Sequence, residues 1–110
     1  MRFLFPVLFT ALASSPVIAA GNAEKGKAAY TQHGCWQCHG TVGQGGAAGK
    51  PLAPKPMAFE AFSVFVRHSN GPMPPYQKAM LSDADLADIH AYLQSIPAPK
   101  DYKSIPLLNN

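Results

Sequence analysis

Cysteine is scarce in this 110-residue chain, which has only Cys35 and Cys38. A structural zinc site needs four ligands, and with no second paired motif the usual spacing is missing. No alternating or β-branched run precedes Cys35, so a thioredoxin-like disulfide site, which needs a strand leading into its motif, is set aside as well. Long apolar runs are also lacking. The one near the start, Phe3 to Leu12, falls far short of the ~20 residues of a spanning helix and is flanked or broken by Pro6 and Pro16. Charge of one sign is not in excess either. Beyond residue 20, eight cations (nine minus Arg2) face six acids, a net charge of +2. That balance leaves no strongly basic footprint, and no nucleic-acid partner is expected.

The opening residues do carry a pattern. Arg2, the apolar run and the small-residue close Val17-Ile18-Ala19-Ala20 have the layout of a secretory signal peptide, with cleavage after Ala19 or Ala20. Residues 1–20 are therefore read as a signal peptide and 21–110 as one exported domain with no membrane span. Eleven prolines and nine glycines in the full chain make a self-sufficient core hard to form in about 90 residues. Such a chain needs a staple or a bound group.

The segment Cys35-Trp36-Gln37-Cys38-His39 supplies one. Cys-x-x-Cys-His is the attachment signature of a c-type haem. Thiols three positions apart lie about one helical turn from each other, in reach of two vinyl groups, and the next residue offers an imidazole to the iron. Both cysteines are used. One haem c, covalent through Cys35 and Cys38, is the expected cofactor, and its propionates would offset most of the net charge.

The remaining chain reads as helices joined by irregular segments. A first helix is expected between Gly21 and Gly34, with Asn22 as N-cap, Glu24 in its first turn and Gly34 as the left-handed residue past its end. Gly26, Ala29, Tyr30 and His33 share one face, and a mid-helix glycine suggests close approach of another helix. Residues 40–56 read as a loop lying along a haem edge, with Leu52 touching the porphyrin. Met57 to Ser69 is expected to be helical, with Phe59, Phe62, Phe65 and Val66 on its apolar face and a left-handed cap at Asn70-Gly71. The stretch from Gly71 to Tyr76 is a proline-stiffened loop around Met73. The last helix starts at Ser82, with Asp85 completing a capping box and Leu81 and Leu86 a hydrophobic staple. It runs through Leu86, Ile89, Leu93 and Ile96 to Pro97. Residues 97–110 form a polar, proline-punctuated tail.

In order and content these parts resemble class I cytochrome c from Asn22 to Ile96: Gly26 and Tyr30 on an N-terminal helix, Cys35 to His39, a Met-Pro loop at Met73, and Ala91-Tyr92-Leu93 on a C-terminal helix. The resemblance implies an all-α cytochrome c fold of three to four helices around one haem. In it the first and last helices cross at Gly26 and Tyr30 against Ile89 and Tyr92. It also implies His39 and a methionine as axial iron ligands. Where the family has Gly-Pro-x-Leu, whose proline carbonyl orients the histidine, this chain has Gly49-Lys50-Pro51-Leu52, which leaves the Lys50 and Pro51 carbonyls as candidates. Among Met57, Met73 and Met80, Met73 is selected because prolines fix the backbone around it, whereas Met80 reads as core filler and Met57 lies on the wrong side of the phenylalanine face. His33, His68 and His90 are read as helix residues and not as iron ligands.

The expected site is thus Cys35, Cys38, His39 and Met73, with Leu52, Phe59, Phe62 and Leu93 drying the pocket and Trp36, Pro74 and Tyr76 beside the haem edge. Two filled axial positions leave no open site for substrate. The expected role is a periplasmic monohaem cytochrome that carries single electrons between redox proteins such as a dehydrogenase or an oxidase, and not an enzyme. It would act as a monomer or as a subunit of a hetero-complex. The alternatives are an electron-transfer subunit of a periplasmic dehydrogenase complex and a haem enzyme or gas sensor with a labile Met73.

Overall fold

The computed structural model describes residues 20–109. The expected signal peptide therefore lies outside the described residues, apart from Ala20. Four α-helices follow one another: α1 (Ala23–Gln32), α2 (Trp36–His39), α3 (Phe59–His68) and α4 (Asp83–Ser95). No strand occurs among the described residues, and none of their helices is long and apolar enough to cross a membrane.

Helix α1 begins where its capping residue dictates. The Asn22 side chain accepts the Lys25 amide at 2.9 Å, while the Asn22 amide donates to Asp88 on α4 at 2.7 Å. One residue thus starts a helix and ties it to another. At the far end Gly34 takes φ +74°, and the Cys35 amide reaches back to the Tyr30 carbonyl at 3.2 Å. This wrap-around closure delivers the chain directly into the Cys35–His39 motif.

The main interface is α1 on α4. Gly26 is buried there because a Cβ would overlap the Asp88 carbonyl and press within 2.8 Å of Tyr92 Cβ. The Tyr30 and Tyr92 rings pack beside it, 5.5 Å apart and tilted by 59°. The crossing therefore involves the expected Gly26, Tyr30 and Tyr92, with the α4 backbone at Asp88 making the closest approach.

Helix α4 follows its local signals. Ser82 accepts the Asp85 amide at 3.0 Å, a cap of about 1 kcal/mol. Leu81 and Leu86, the two arms of the staple, are both buried. The reciprocal half of the capping box is absent among the described residues, and the Asp85 carboxylate lies 3.9 Å from His33 Nε2 instead. Ile96, extended at ψ 124°, ends the helix before Pro97.

Helix α3 departs from expectation at both ends. It starts at Phe59 and not at Met57, because Ala58 is extended (ψ 144°) and the Met57 carbonyl accepts from His90 Nε2 at 2.9 Å. Its C-terminus has no left-handed cap at Asn70-Gly71. Ser69 turns extended, and no positive φ occurs from Ser69 to Pro72. The Ser69 hydroxyl donates onward to the Pro74 carbonyl at 3.1 Å, which explains the difference: the chain leaves the helix straight into the proline strap. The tail forms two short 3₁₀ turns, Tyr102–Ser104 and Pro106–Leu108, gathered by the Asn109 amide on the carbonyls of Tyr102, Lys103 and Ile105.

Candidate haem site

The buried apolar residues are few: Ala29, Tyr30, Phe62, Val66, Leu81, Leu86, Ile89, Tyr92 and Leu93. Tyr30, Phe62, Val66, Leu81, Leu86 and Ile89 among them also line a cleft of about 780 Å³, its open mouth included. Core and cleft are therefore largely the same surface, so that a ligand filling the cleft would complete the core.

Cys35, Cys38 and His39 all line this cleft. They are held one turn apart by α2, whose His39 amide bonds to the Cys35 carbonyl at 3.1 Å. Burial pushes the Cys35 thiol up to about 11, so it is neutral at physiological pH, while Cys38 is exposed. His39 Nδ1–H donates to the Lys50 carbonyl at 2.8 Å. Of the two carbonyls open in the sequence, Lys50 therefore fills the orienting role. This bond fixes the tautomer and leaves the Nε2 lone pair free for a metal. Gly49 permits it, since a Cβ there would lie 2.9 Å from His39 Nδ1 and 2.8 Å from the Cys38 carbonyl oxygen.

The glycines of the 40–56 loop are needed for the same purpose. Gly40, Gly43 and Gly45 have φ values of +81°, +68° and +84°. The Gly43 carbonyl accepts both the Leu52 amide (2.8 Å) and the Ala53 amide (3.0 Å), which folds the loop back and brings Leu52 into the cleft wall. Tyr30 braces the turn, its hydroxyl donating to the Gly40 carbonyl at 2.7 Å.

Of the three candidate methionines, Met73 and Met57 line the cleft, whereas Met80 is 62 % exposed and stands outside it. Met73 is partly buried against the core; Met57 is 37 % exposed. Pro74 and Tyr76 of the same strap also line the cleft. The remaining expectations divide. Leu52 and Phe62 are in the wall. Phe59 is not: one turn before Phe62, it meets the edge of His90 at 5.4 Å, between α3 and α4. Leu93 is fully buried behind the cleft, beside the Gly43 turn. Trp36 is 43 % exposed and outside the lining.

Sequence reasoning missed Tyr30, Phe65, Val66, Leu81, Leu86 and Ile89 as cleft residues. Their spacing marked an apolar face, but spacing does not say whether such a face meets a helix or a ligand. His90 is buried, donating to the Met57 carbonyl and flanked by Phe59 and Phe62, so it serves the fold.

The family model described as cytochrome C oxidase, cbb3-type, subunit III matches residues 21–93. The chain belongs to this family. Comparison with curated proteins and with solved structures gives no significant match. The match to this cbb3-type subunit III family covers α1, α2, α3 and the Cys-x-x-Cys-His motif, and it ends inside α4 at Leu93, before the tail.

The residues present fit a covalent haem. Two cysteines at the attachment spacing, an imidazole with one nitrogen already satisfied and a soft thioether line one apolar cleft. No cluster of three or more His, Cys, Asp or Glu that could hold a bare metal ion occurs among the described residues, the Cys35–His39 motif included.

Proposed function

We propose that this chain is a His/Met-ligated monohaem cytochrome c that serves as the electron-transfer component of a larger redox assembly. The observation that carries the haem reading is the shared apolar cleft of Cys35, Cys38, His39 and Met73, with His39 Nδ1 tied to the Lys50 carbonyl. Family membership supports a component of an oxidase-type respiratory complex over a free-swimming carrier, because the family is described by a subunit of cytochrome c oxidase. In this reading the domain works outside the cytoplasm, consistent with the signal-like first twenty residues.

A bound haem would supply one-electron Fe(II)/Fe(III) chemistry. The chain's own part is to hold and insulate it. Cys35 and Cys38 anchor the group. His39 is oriented by Lys50, and Met73, a soft ligand that favours the reduced metal, would raise the potential. Phe62, Val66, Leu81, Leu86 and Ile89 keep water from the interior. With His39 and Met73 both available to hold the iron of a bound haem, the role would be that of a carrier and not of an enzyme.

Two measurements on protein matured in an exporting host test this. Carbon monoxide should not bind the ferrous form at neutral pH, and rapid binding would favour the sensor or enzyme reading. Affinity purification from detergent-solubilised membranes should bring down a haem-containing or dehydrogenase partner in fixed ratio. Recovery as a lone soluble protein would restore the free carrier.

A further inference from the structure

Met73 lies in a strap from Ser69 to Leu81 that contains three prolines within four residues, Pro72, Pro74 and Pro75. Prolines stiffen the strap but donate no hydrogen bonds, so its position must come from other groups. Before Met73 there is open space at Gly71, which has no neighbour within 4 Å of where a Cβ would stand, and the Ser69 hydroxyl reaches past it to the Pro74 carbonyl at 3.1 Å. After Met73 one side chain from outside the strap gathers it. Arg67 of α3 donates through Nη1 to the Tyr76 carbonyl at 2.9 Å and to the Leu81 carbonyl at 2.7 Å, and through Nη2 to Asp83 at 2.8 Å.

The Arg67 side chain is only 10 % exposed, and its Nε is buried without a partner. Burying a guanidinium and leaving one donor unsatisfied is costly, so stability alone explains this placement poorly. Its fork instead bridges both ends of the segment 76–81 and the first residue of α4. Tyr76 adds two further ties: its amide to the Val66 carbonyl at 2.9 Å and its hydroxyl to the His33 carbonyl at 3.2 Å.

We propose that Arg67 is the positioning residue for Met73. By locking the strap from its C-terminal side, the guanidinium keeps the thioether presented to a haem in the cleft and sets how readily that ligand lets go. The inference rests on the reading of Met73 as axial ligand, and its test separates the two.

The ferric holoprotein is mixed with imidazole, and the near-infrared sulfur-to-iron band is recorded together with far-ultraviolet circular dichroism. Arg67→Met keeps the stem and removes the fork. It is expected to weaken the band while helicity persists and to speed imidazole entry by roughly ten-fold or more, the factor one charge-assisted hydrogen bond carries. Arg67→Lys, which can reach one carbonyl but not two, should fall between the two, and it carries the same test should Arg67→Met not fold. If the variants lose only thermal stability, with band and imidazole rate as in the wild type, Arg67 is a structural clamp and the proposal fails while Met73 stands. Persistence of the band in Met73→Ala overturns the ligand assignment itself, and the proposal with it.

Discussion

The stretch carrying His39 and the strap carrying Met73 are built by different means. From Cys35 to Ala53 the chain is held by its own backbone: His39, Gly40, Gly43, Gly45, Gly46, Leu52 and Ala53 all donate amides to carbonyls within the same stretch. Glycines at positive φ make those turns possible. From Ser69 to Leu81 the prolines remove donors, and side chains, chiefly Arg67 of α3 with Ser69 and Tyr76 of the strap itself, hold it beside three backbone bonds, Tyr76 to Val66 and Met80 and Leu81 to Gln77. The first region therefore depends on which residues lack a side chain, the second on which residues supply one. In the proposed reading, a rigid ligand on a backbone-built loop and a releasable one on a side-chain-held strap is a sensible division, because the thioether would be the weaker ligand.

The largest expected effect removes what both regions face. Cys35→Ala or Cys38→Ala should abolish stable holoprotein, because six buried core residues also form the cleft wall. Haem content by pyridine haemochrome and helicity by circular dichroism check this. A haem-free protein with a full helical signal and a cooperative melt would sink the claim that cofactor and core are one.

Next comes the strap alone. Met73→Ala should open the iron to carbon monoxide in the ferrous form and lower the potential by a fraction of the ~0.8 V that axial ligands span. Helicity should change little, since Met73 belongs to the cleft rim more than to the α1–α4 interface. Met80, 62 % exposed and outside the cleft, is a poor substitute ligand, so a surviving sulfur-to-iron band would implicate Met57.

A pair of glycine substitutions sharpens the contrast within the backbone. Gly43 has φ +68°, and a Cβ there would sit 2.7 Å from Leu93 Cδ2, so Gly43→Ala should cost about 2 kcal/mol or more. Gly71 has no positive φ and open space around it, so Gly71→Ala should be neutral or stabilise by ~0.5 kcal/mol through the unfolded chain. Equal losses at the two sites in urea titrations would erase the distinction drawn between the regions.

The comparison also explains what could be read from the sequence. Helix α4 was legible down to its cap because its signals are local: Ser82, the staple leucines and Pro97 act within one or two turns. The Cys35–His39 motif was legible because its chemistry lies in five consecutive residues. The Lys50 carbonyl was not, since Lys50 and Pro51 offer the same group and only the fold of the glycine loop chooses between them. Arg67 was invisible for a stronger reason. On α3 it is one cation near a helix end, where such residues are common, and its role exists only once the strap has returned over it. The Asn70-Gly71 cap failed because a turn-forming pair was read without the Ser69-to-Pro74 bond that pulls the chain straight.

The smallest expected effect concerns how a partner is met. Trp36 is 43 % exposed at the start of α2, beside the attachment cysteines and outside the cleft lining. A role limited to packing against a porphyrin is therefore a poor fit for it. The cations nearby do not form a ring. Lys25 and Lys27 lie on α1, Lys50 and Lys55 on the loop, and Lys78 is already paired with Asp83 at 2.8 Å. Asp83 is in turn held below its ordinary pKa by its bonds to Lys78 and Arg67, so it stays charged and cancels one of their two positive charges. Steered association loses rate steeply once salt screens beyond ~10 Å at 0.1 M, which requires an unbalanced charge field to begin with. Electron exchange with the natural donor is thus expected to fall only weakly from low to physiological salt, and Trp36→Ala to slow it more than Lys25→Ala. Stopped-flow rates over an ionic-strength series decide between the two kinds of encounter. A steep decline with salt, with Lys25→Ala the worse variant, would mean that partners are drawn in by charge and that the apolar surface near Trp36 is incidental.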